Sequence, residues 1–278
     1  MPPKPPRKAR CARWRAESGI AGLTLDELAP YYAKVEKILQ VAPSSPAAVG
    51  APGRVIARGC AALGWSNHPL PRNAPDCDGQ GLCCFGCPSG AKRSTDVSYV
   101  PLALQRGAQL FSGAVVDRVL LEGETAVGVA GSFLDKNGVR RNLRVRAKAV
   151  VLACGAMHTP ALLLRQGLAD ASGQVGRNLS IHPASAAVGI FDEPIGGLRS
   201  VPQGWCVDQF HAEGILFEGA SSPLPIVAAS HSGYGAAFVR AMEAFDRSMM
   251  FGFMVRDNSR GRVRPGPGGE PLYRIALR

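Results

Sequence analysis

The 278-residue sequence predicts an α/β (α+β) fold. Helical patterning dominates up to about residue 63, and three runs rich in Val and Leu follow between residues 109 and 152. The last of those runs passes directly into a second helical pattern that stops at Gly167. Beyond His182, short apolar runs alternate with Gly/Pro turns, the pattern of a mainly β region.

Residues 1–18, which begin MPPKPPRKARCARWR, are expected to form a basic disordered tail. Thr24, Leu25, Asp26 and Glu27 have capping-box spacing, and Pro30 suits the first turn of a second helix. That helix runs from Tyr31 to about Val41, with Tyr31, Val35, Ile38 and Leu39 on one face. A Pro/Ala/Ser linker, Ala42–Pro52, ends it. A short helix around Val55–Leu63 precedes an irregular Pro/Asn/Gly/Cys-rich loop from Asn67 to about Thr95. Leu110–Leu121, Thr125–Leu134 and Arg140–Leu152 read as strands, the first two as a β-meander at the edge of a parallel sheet. Asn137-Gly138 marks a hairpin turn between the second and third.

Charge and cysteine usage limit the function classes. Of a net charge of +11, six positive charges lie in residues 1–15 and a net four in residues 256–278. The body between is nearly neutral, which argues for solvated basic ends rather than a nucleic-acid surface. No apolar run approaches the roughly 18 residues of a membrane span. No apolar region follows the basic N-terminus, so it does not read as a secretory signal. The expected compartment is therefore the cytoplasm, with the eight cysteines reduced.

The most informative stretch is Ala149–Gly167, AVVLACGAMHTPALLLRQG. Ala149, Val150, Val151 and Leu152 read as a buried strand, and Ala153 to Ala156 are small. Thr159-Pro160 then opens an apolar helix, with Thr as cap and Pro at the first helical position, and Gly167 closes it. Such a junction admits two readings. Small side chains let backbone and helix N-terminus approach a ligand, or they let strand and helix pack closely.

Cys77–Lys92, CDGQGLCCFGCPSGAK, is the second such stretch. Cys77, Cys83 and Cys87 give C-x5-C-x3-C on a glycine-rich loop. That spacing is open to an iron–sulfur cluster or to thiols packed as small apolar groups. A zinc site would want a second paired knuckle, which is missing. Gly173–Pro183 is a glycine-bracketed loop carrying Arg177. It either meets an anionic cofactor or is a turn in which Asn178 bonds the backbone. His68, His158, His182, His211 and His231 fall in no acid–base or metal spacing, so none is assigned a catalytic role. No G-x-G-x-x-G lies between a strand and a helix.

Taken in order, these segments resemble the glucose–methanol–choline (GMC) oxidoreductases, FAD-dependent enzymes that oxidise alcohols. The residues carrying the resemblance are collinear: Leu28-Ala29-Pro30-Tyr31-Tyr32 with Val35-Glu36; Cys87-Pro88-Ser89-Gly90-Ala91-Lys92 with Ser94-Thr95, Tyr99 and Pro101; Gly113, Val116 and Val119 with Ala126-Val127-Gly128-Val129; Gly155-Ala156-Met157-His158-Thr159-Pro160 with Leu163-Leu164 and Gly167; and Gly176-Arg177-Asn178-Leu179 with His182-Pro183.

The resemblance implies a partial FAD/NAD(P)-binding domain over residues 19–185 and part of a mainly β substrate-binding domain over 186–278. It also implies that the Val116 backbone meets the adenine of FAD and that Ala153, Cys154 and Gly155 line the dinucleotide. The cysteine-rich loop is similar to that of branches acting on long-chain or hydrophobic alcohols. In a related sugar dehydrogenase branch, cysteines at the spacing of Cys77, Cys83 and Cys87 hold a 3Fe–4S cluster, with a further cysteine where this chain has Asp78; no metal is therefore assigned. No residue here matches the family's glycine-rich phosphate loop or its catalytic base. The expectation is thus a central segment of such an enzyme, inactive alone and weak in FAD binding. The alternatives are one part of a split enzyme with a complementary flavoprotein segment, or a basic protein binding nucleic acid or a membrane surface.

Overall fold

The structure is a computed structural model that describes residues 7–196, 200–220 and 222–276. The chain begins with α1 (Arg7–Ser18), α2 (Leu25–Ile38), β1 (Ala42–Pro43), α3 (Pro46–Leu63), β2 (Asn67–Pro69), β3 (Pro71–Arg72) and α4 (Tyr99–Gln105). The middle comprises β4 (Val115–Glu122), β5 (Thr125–Leu134), β6 (Arg140–Arg146), α5 (Gly155–Gln166), β7 (Arg177–Leu179) and β8 (Ala184–Ile190). The remainder is β9 (Trp205–Val207), β10 (Ile215–Ala220), α6 (Leu224–Ser230), α7 (Ala236–Glu243), β11 (Ser248–Val255), β12 (Gly261–Pro265) and β13 (Pro271–Arg274). The chain thus combines helices with several sheets, as an α+β fold requires. Among the described residues every strand pairing is antiparallel, so the meander does not edge a parallel sheet.

Three helical expectations need correction. The stretch expected as a disordered tail is helical from Arg7 to Ser18. Its Ala and Arg residues are strong helix formers, Arg13 and Glu17 pair one turn apart at 3.6 Å, and Gly19 at φ 71° ends it. Pro30 does not open a second helix. The Thr24 hydroxyl accepts from the Glu27 N–H at 3.2 Å and starts α2 at Leu25, so Pro30 falls in the second turn and forfeits a single ladder bond. The linker is shorter than Ala42–Pro52, because Ser45 caps α3 through the Ala48 N–H at 3.1 Å with Pro46 in the first turn. Gly50, at φ 65° and ψ −164°, then breaks the helix before it resumes toward Leu63.

Two units interleave along the sequence. The first joins the residues up to Gly107 with Pro183–Arg256. Its five-stranded sheet has the order β2-β9-β10-β11-β8, and α3 packs on it. Ile56 and Cys60 of α3 are buried with Ile195, Val207 and Met249, against Trp65, Trp205, Phe217 and Phe251. Gly219 permits this approach, since a Cβ there would stand 2.5 Å from Ile56 Cδ1.

Cys206 lies in the same layer at 3 % exposure, and burial, aided by Asp208 and Glu218, pushes its thiol up to about 12 from an ordinary 9.0. Below about pH 9 the thiol is protonated in both states. Between there and about pH 12 only the unfolded chain releases the proton, so stability must fall with rising pH. Melting temperatures measured from pH 8 to 10.5 should decline more steeply for the parent than for Cys206→Ala; equal slopes would refute this.

The second unit joins Ala108–His182 with the residues from Asp257 on. It holds the β4-β5-β6 meander and a sheet of order β13-β12-β7. β5 occupies the expected Thr125–Leu134, whereas β4 and β6 are shorter than their apolar runs. At the hairpin the Asp135 carboxylate accepts from the Asn137 and Val139 N–H groups at 2.9 and 3.0 Å, and Gly138 adopts φ 74°. α5 rests on β12, burying Ala161 beside Leu179 and Val263, and Leu162 of the same helix is also buried.

Candidate functional site

The junction before α5 differs from its sequence expectation in ways that bear on ligand binding. Ala149–Leu152 is not a buried strand: it carries no ladder, and Val151 is 87 % exposed. The Ala147 N–H still donates to Val127 O at 3.0 Å, and beyond it the chain leaves the meander. A ladder needs a neighbouring backbone to bond to, and no described strand pairs with this segment. The helix opens at Gly155, not at Thr159-Pro160. From inside the first turns the Thr159 hydroxyl accepts the Cys154 N–H at 3.0 Å, and Pro160 is absorbed in the second turn. Gly167 ends the helix at φ 66°, as expected.

The turn bears on the packing reading of the small residues. Cys154 sits at φ −84°, ψ 13°, and Gly155 follows at φ 80°, so the chain enters the helix through a left-handed residue. A Cβ built on Gly155 would meet nothing within 4 Å, so close packing is not what keeps this residue small. Ala153, Cys154 and Gly155 are all exposed. The glycine serves a left-handed backbone over open space.

α5 and β4 are fastened together by two side chains that sequence reasoning did not single out. β4 is bulged after Val116, where Val116 faces Gly131 and Arg118 faces Ala130, which leaves Asp117 as the extra residue. The Asp117 carbonyl accepts from Arg165 Nη2 at 2.7 Å. Two residues on, the Gln166 amide bonds both backbone groups of Val119: Oε1 accepts the N–H at 2.8 Å and Nε2 donates to the carbonyl at 3.1 Å. Val116, which is 37 % exposed, and the Cys154–Gly155 turn are therefore held in one frame. The available signal was a polar Arg-Gln pair closing an otherwise apolar helix. His158 and His182, the histidines nearest this wall in sequence, are both exposed. In the neighbouring loop, Asn178 adopts φ 61° and donates its side-chain amide to Gln174 Oε1 at 3.0 Å rather than to the backbone.

In the first unit the cysteine-rich loop is closed at its base. The Arg93 N–H donates to Asn73 O at 2.7 Å, and Asn73 Nδ2 returns to Arg93 O at 3.1 Å. Gly79, at φ 75°, lies so close to α3 that a Cβ would stand 3.1 Å from the Ala48 Cα. Cys77, Cys83 and Cys87 are half-buried and Cys84 is exposed. Cys87 Sγ accepts from the Lys92 N–H at 3.4 Å and lies 3.6 Å from the Ser89 hydroxyl. These donors, with the Ala91 and Ser89 N–H groups, hold its thiol below the ordinary range. Burial raises the Cys83 thiol, and the charges of Cys77 and Cys87 add to that against the lowering effect of Arg72. Among the described residues no group of three or more His, Cys, Asp or Glu side chains is arranged to hold a metal ion. Nor is any described helix long and apolar enough to cross a membrane.

Comparison with known proteins settles the family. Residues 4–184 match the sequence profile described as GMC oxidoreductase. The chain belongs to the GMC oxidoreductases. This GMC chain is 37 % identical over 266 residues to an uncharacterized GMC-type oxidoreductase of Mycobacterium tuberculosis, covering 95 % of the chain and 41 % of the relative. It is 34 % identical over 270 residues to a GMC-type oxidoreductase of Sinorhizobium fredii, covering 95 % and 52 %. A long-chain-alcohol oxidase of Arabidopsis thaliana is 28 % identical over 237 residues, covering 77 % and 31 %. The GMC chain thus spans about half, or less, of the length of these relatives. The matched segment takes in both Val116 and the Cys154–Gly155 turn.

Proposed function

We propose that this chain supplies one wall of the FAD site, and part of the substrate-binding region, of a GMC enzyme that oxidises alcohols. The observation that carries it is the family match over residues 4–184, which includes both arms of the fastened β4–α5 frame. The Val116 backbone meets the adenine, and Ala153, Cys154 and Gly155 line the dinucleotide. The left-handed Gly155 leaves room for the phosphate-bearing chain, where any side chain would stand in its way. Bound FAD supplies hydride acceptance from the alcohol carbon. Residues 19–185 form the cofactor-binding part and 186–278 the substrate-binding part, in the cytoplasm. The substrate is a long-chain or hydrophobic alcohol, on the likeness to the Arabidopsis oxidase over 77 % of the chain.

The chain contains no G-x-G-x-x-G between strand and helix, and no residue assigned as base. Tested as these 278 residues, it should lose FAD on desalting and leave an alcohol and an electron-accepting dye unchanged. Stoichiometric retained flavin with alcohol oxidation would refute that expectation. In a second reading, a complementary segment bears the phosphate loop and the base, within relatives of which this chain spans 41–52 %. Co-expression with such a segment should restore flavin retention and turnover, and a pair that never co-purifies would exclude this arrangement.

A further inference from the structure

We propose that the hairpin end of the β4-β5-β6 meander docks the chain on an anionic lipid surface. The start of β4, the end of β5 and the start of β6 lie together at this end, because neighbouring strands run antiparallel. Large apolar side chains gather there in contact with water. Leu110, Phe111, Val115 and Leu134 are 61–65 % exposed, and Phe133 and Val139 are exposed too. Leu110 and Phe111 sit just ahead of β4, joined to it through a turn in which Gly113 adopts φ 72°. All of these residues belong to the second unit. The inference does not rest on the substrate reading above, though a hydrophobic alcohol would concentrate in the same layer.

Exposed apolar groups gathered in one place mark a protein or a membrane contact. The register favours the membrane. Val115 faces Ser132, which shares a face of β5 with Leu134. Phe133 lies on the other face, paired with Arg141, and Val139 stands two residues before Arg141 on that same side. A protein surface laid on one face would leave the apolar pair of the other face in water, whereas a lipid layer entered end-on surrounds both. The end is also braced to enter as a unit. The Asp135 carboxylate accepts from the Asn137 and Val139 N–H groups at 2.9 and 3.0 Å, and Asp135 N–H donates to Val139 O at 2.9 Å.

Charge selects the kind of lipid. Residues 135–141 carry Lys136, Arg140 and Arg141 against Asp135 as the one acidic residue. Arg141 Nε donates to Asp135 Oδ2 at 2.8 Å, and Arg140 Nη1 donates to the neutral Ser132 hydroxyl at 3.0 Å. Lys136 and Arg140 thus supply the excess charge, which suits the phosphates of an anionic leaflet while the apolar side chains beside them enter the acyl boundary. α1 is basic as well, but among the described residues it exposes no large apolar side chain, so it offers such a surface charge alone.

The test mixes the whole chain with vesicles of phosphatidylcholine containing about one-third phosphatidylserine, or with vesicles of phosphatidylcholine alone, and reads the bound fraction by flotation. Binding to the anionic vesicles should be roughly tenfold tighter. Leu134→Ser and Phe111→Ser should each weaken it about tenfold, whereas Val239→Ser, at an exposed apolar side chain of α7 in the first unit, should not. Lys136→Gln should weaken it about fivefold. Equal or absent binding to the two vesicles overturns the proposal with no variant needed. Undiminished binding by both serine variants also overturns it and assigns the binding to the charge of α1, and an equal loss in Val239→Ser removes its specificity for this end. A parent dimer that Leu134→Ser converts to a monomer overturns it too, and makes this end a contact between copies of the chain.

Discussion

Replacing Gly131 by alanine should destabilise the second unit by roughly 3 kcal/mol, the upper range for overpacking a tight site. Strand propensity alone predicts the opposite sign, because alanine tolerates a strand better than glycine. The structure reverses it through the β4 bulge. Asp117 is the extra residue there, and beside it a Cβ on Gly131 would fall on the Val115 carbonyl and 2.8 Å from the Val116 Cα. Both obstacles are backbone, which cannot rotate away as a side-chain tip can. Denaturant melts of the parent and Gly131→Ala, with Ser132→Ala as a control in the same strand, would decide the matter. Unchanged stability in Gly131→Ala would mean that β4 does not approach β5 so closely.

Gln166→Ala should cost about 2 kcal/mol, the range expected when a buried backbone donor is left unpaired. Val119 is only 8 % exposed, and the Gln166 amide satisfies both its N–H and its carbonyl. Gln166→Glu separates hydrogen bonding from packing. An ionised carboxylate still accepts the Val119 N–H but confronts the Val119 carbonyl with a second acceptor, whereas a protonated one can donate to it. The facing carbonyl raises the carboxyl pKa in the folded state, so the variant should recover stability as the pH falls through that raised value. A loss below 0.5 kcal/mol in Gln166→Ala, within the noise of ordinary surface substitutions, would remove the fastening role.

What could be read from the sequence was what depends on residues close together in the chain. Thr24 capping α2, Asn137-Gly138 turning the hairpin, Thr125–Leu134 as a strand and Gly167 ending α5 all follow from local chemistry, and the structure has each of them. Pro30 and Pro160 misled because proline marks a helix start only when no stronger start precedes it. Thr24 in one case, and the Gly155 turn with its Thr159 bond in the other, set the first turn earlier. The apolar run Ala149–Leu152 has a strand's composition, but a ladder belongs to two backbones at once, and no composition reveals whether the second is present. The candidate wall was legible as small residues at a junction. Its fastening by Arg165 and Gln166 was not, because the β4 bulge that exposes the Asp117 carbonyl arises from a register shift against β5.

The interleaving of the two units has a consequence for the order of events during synthesis. The α3 face bearing Ile56 and Cys60 is made early, yet the residues that cover it, Val207 and Met249, are encoded about 150 residues or more later. At ribosomal speeds of roughly 5–20 residues per second, that apolar stripe waits on the order of ten seconds or longer for its sheet. The second unit is likewise begun and then suspended, since β12 and β13 follow the whole Pro183–Arg256 stretch. The first unit can therefore close only once β11 has emerged and the second only after β13, and the nascent chain is at its most vulnerable to capture by chaperones or by its own copies in the interval before β9 to β11 emerge.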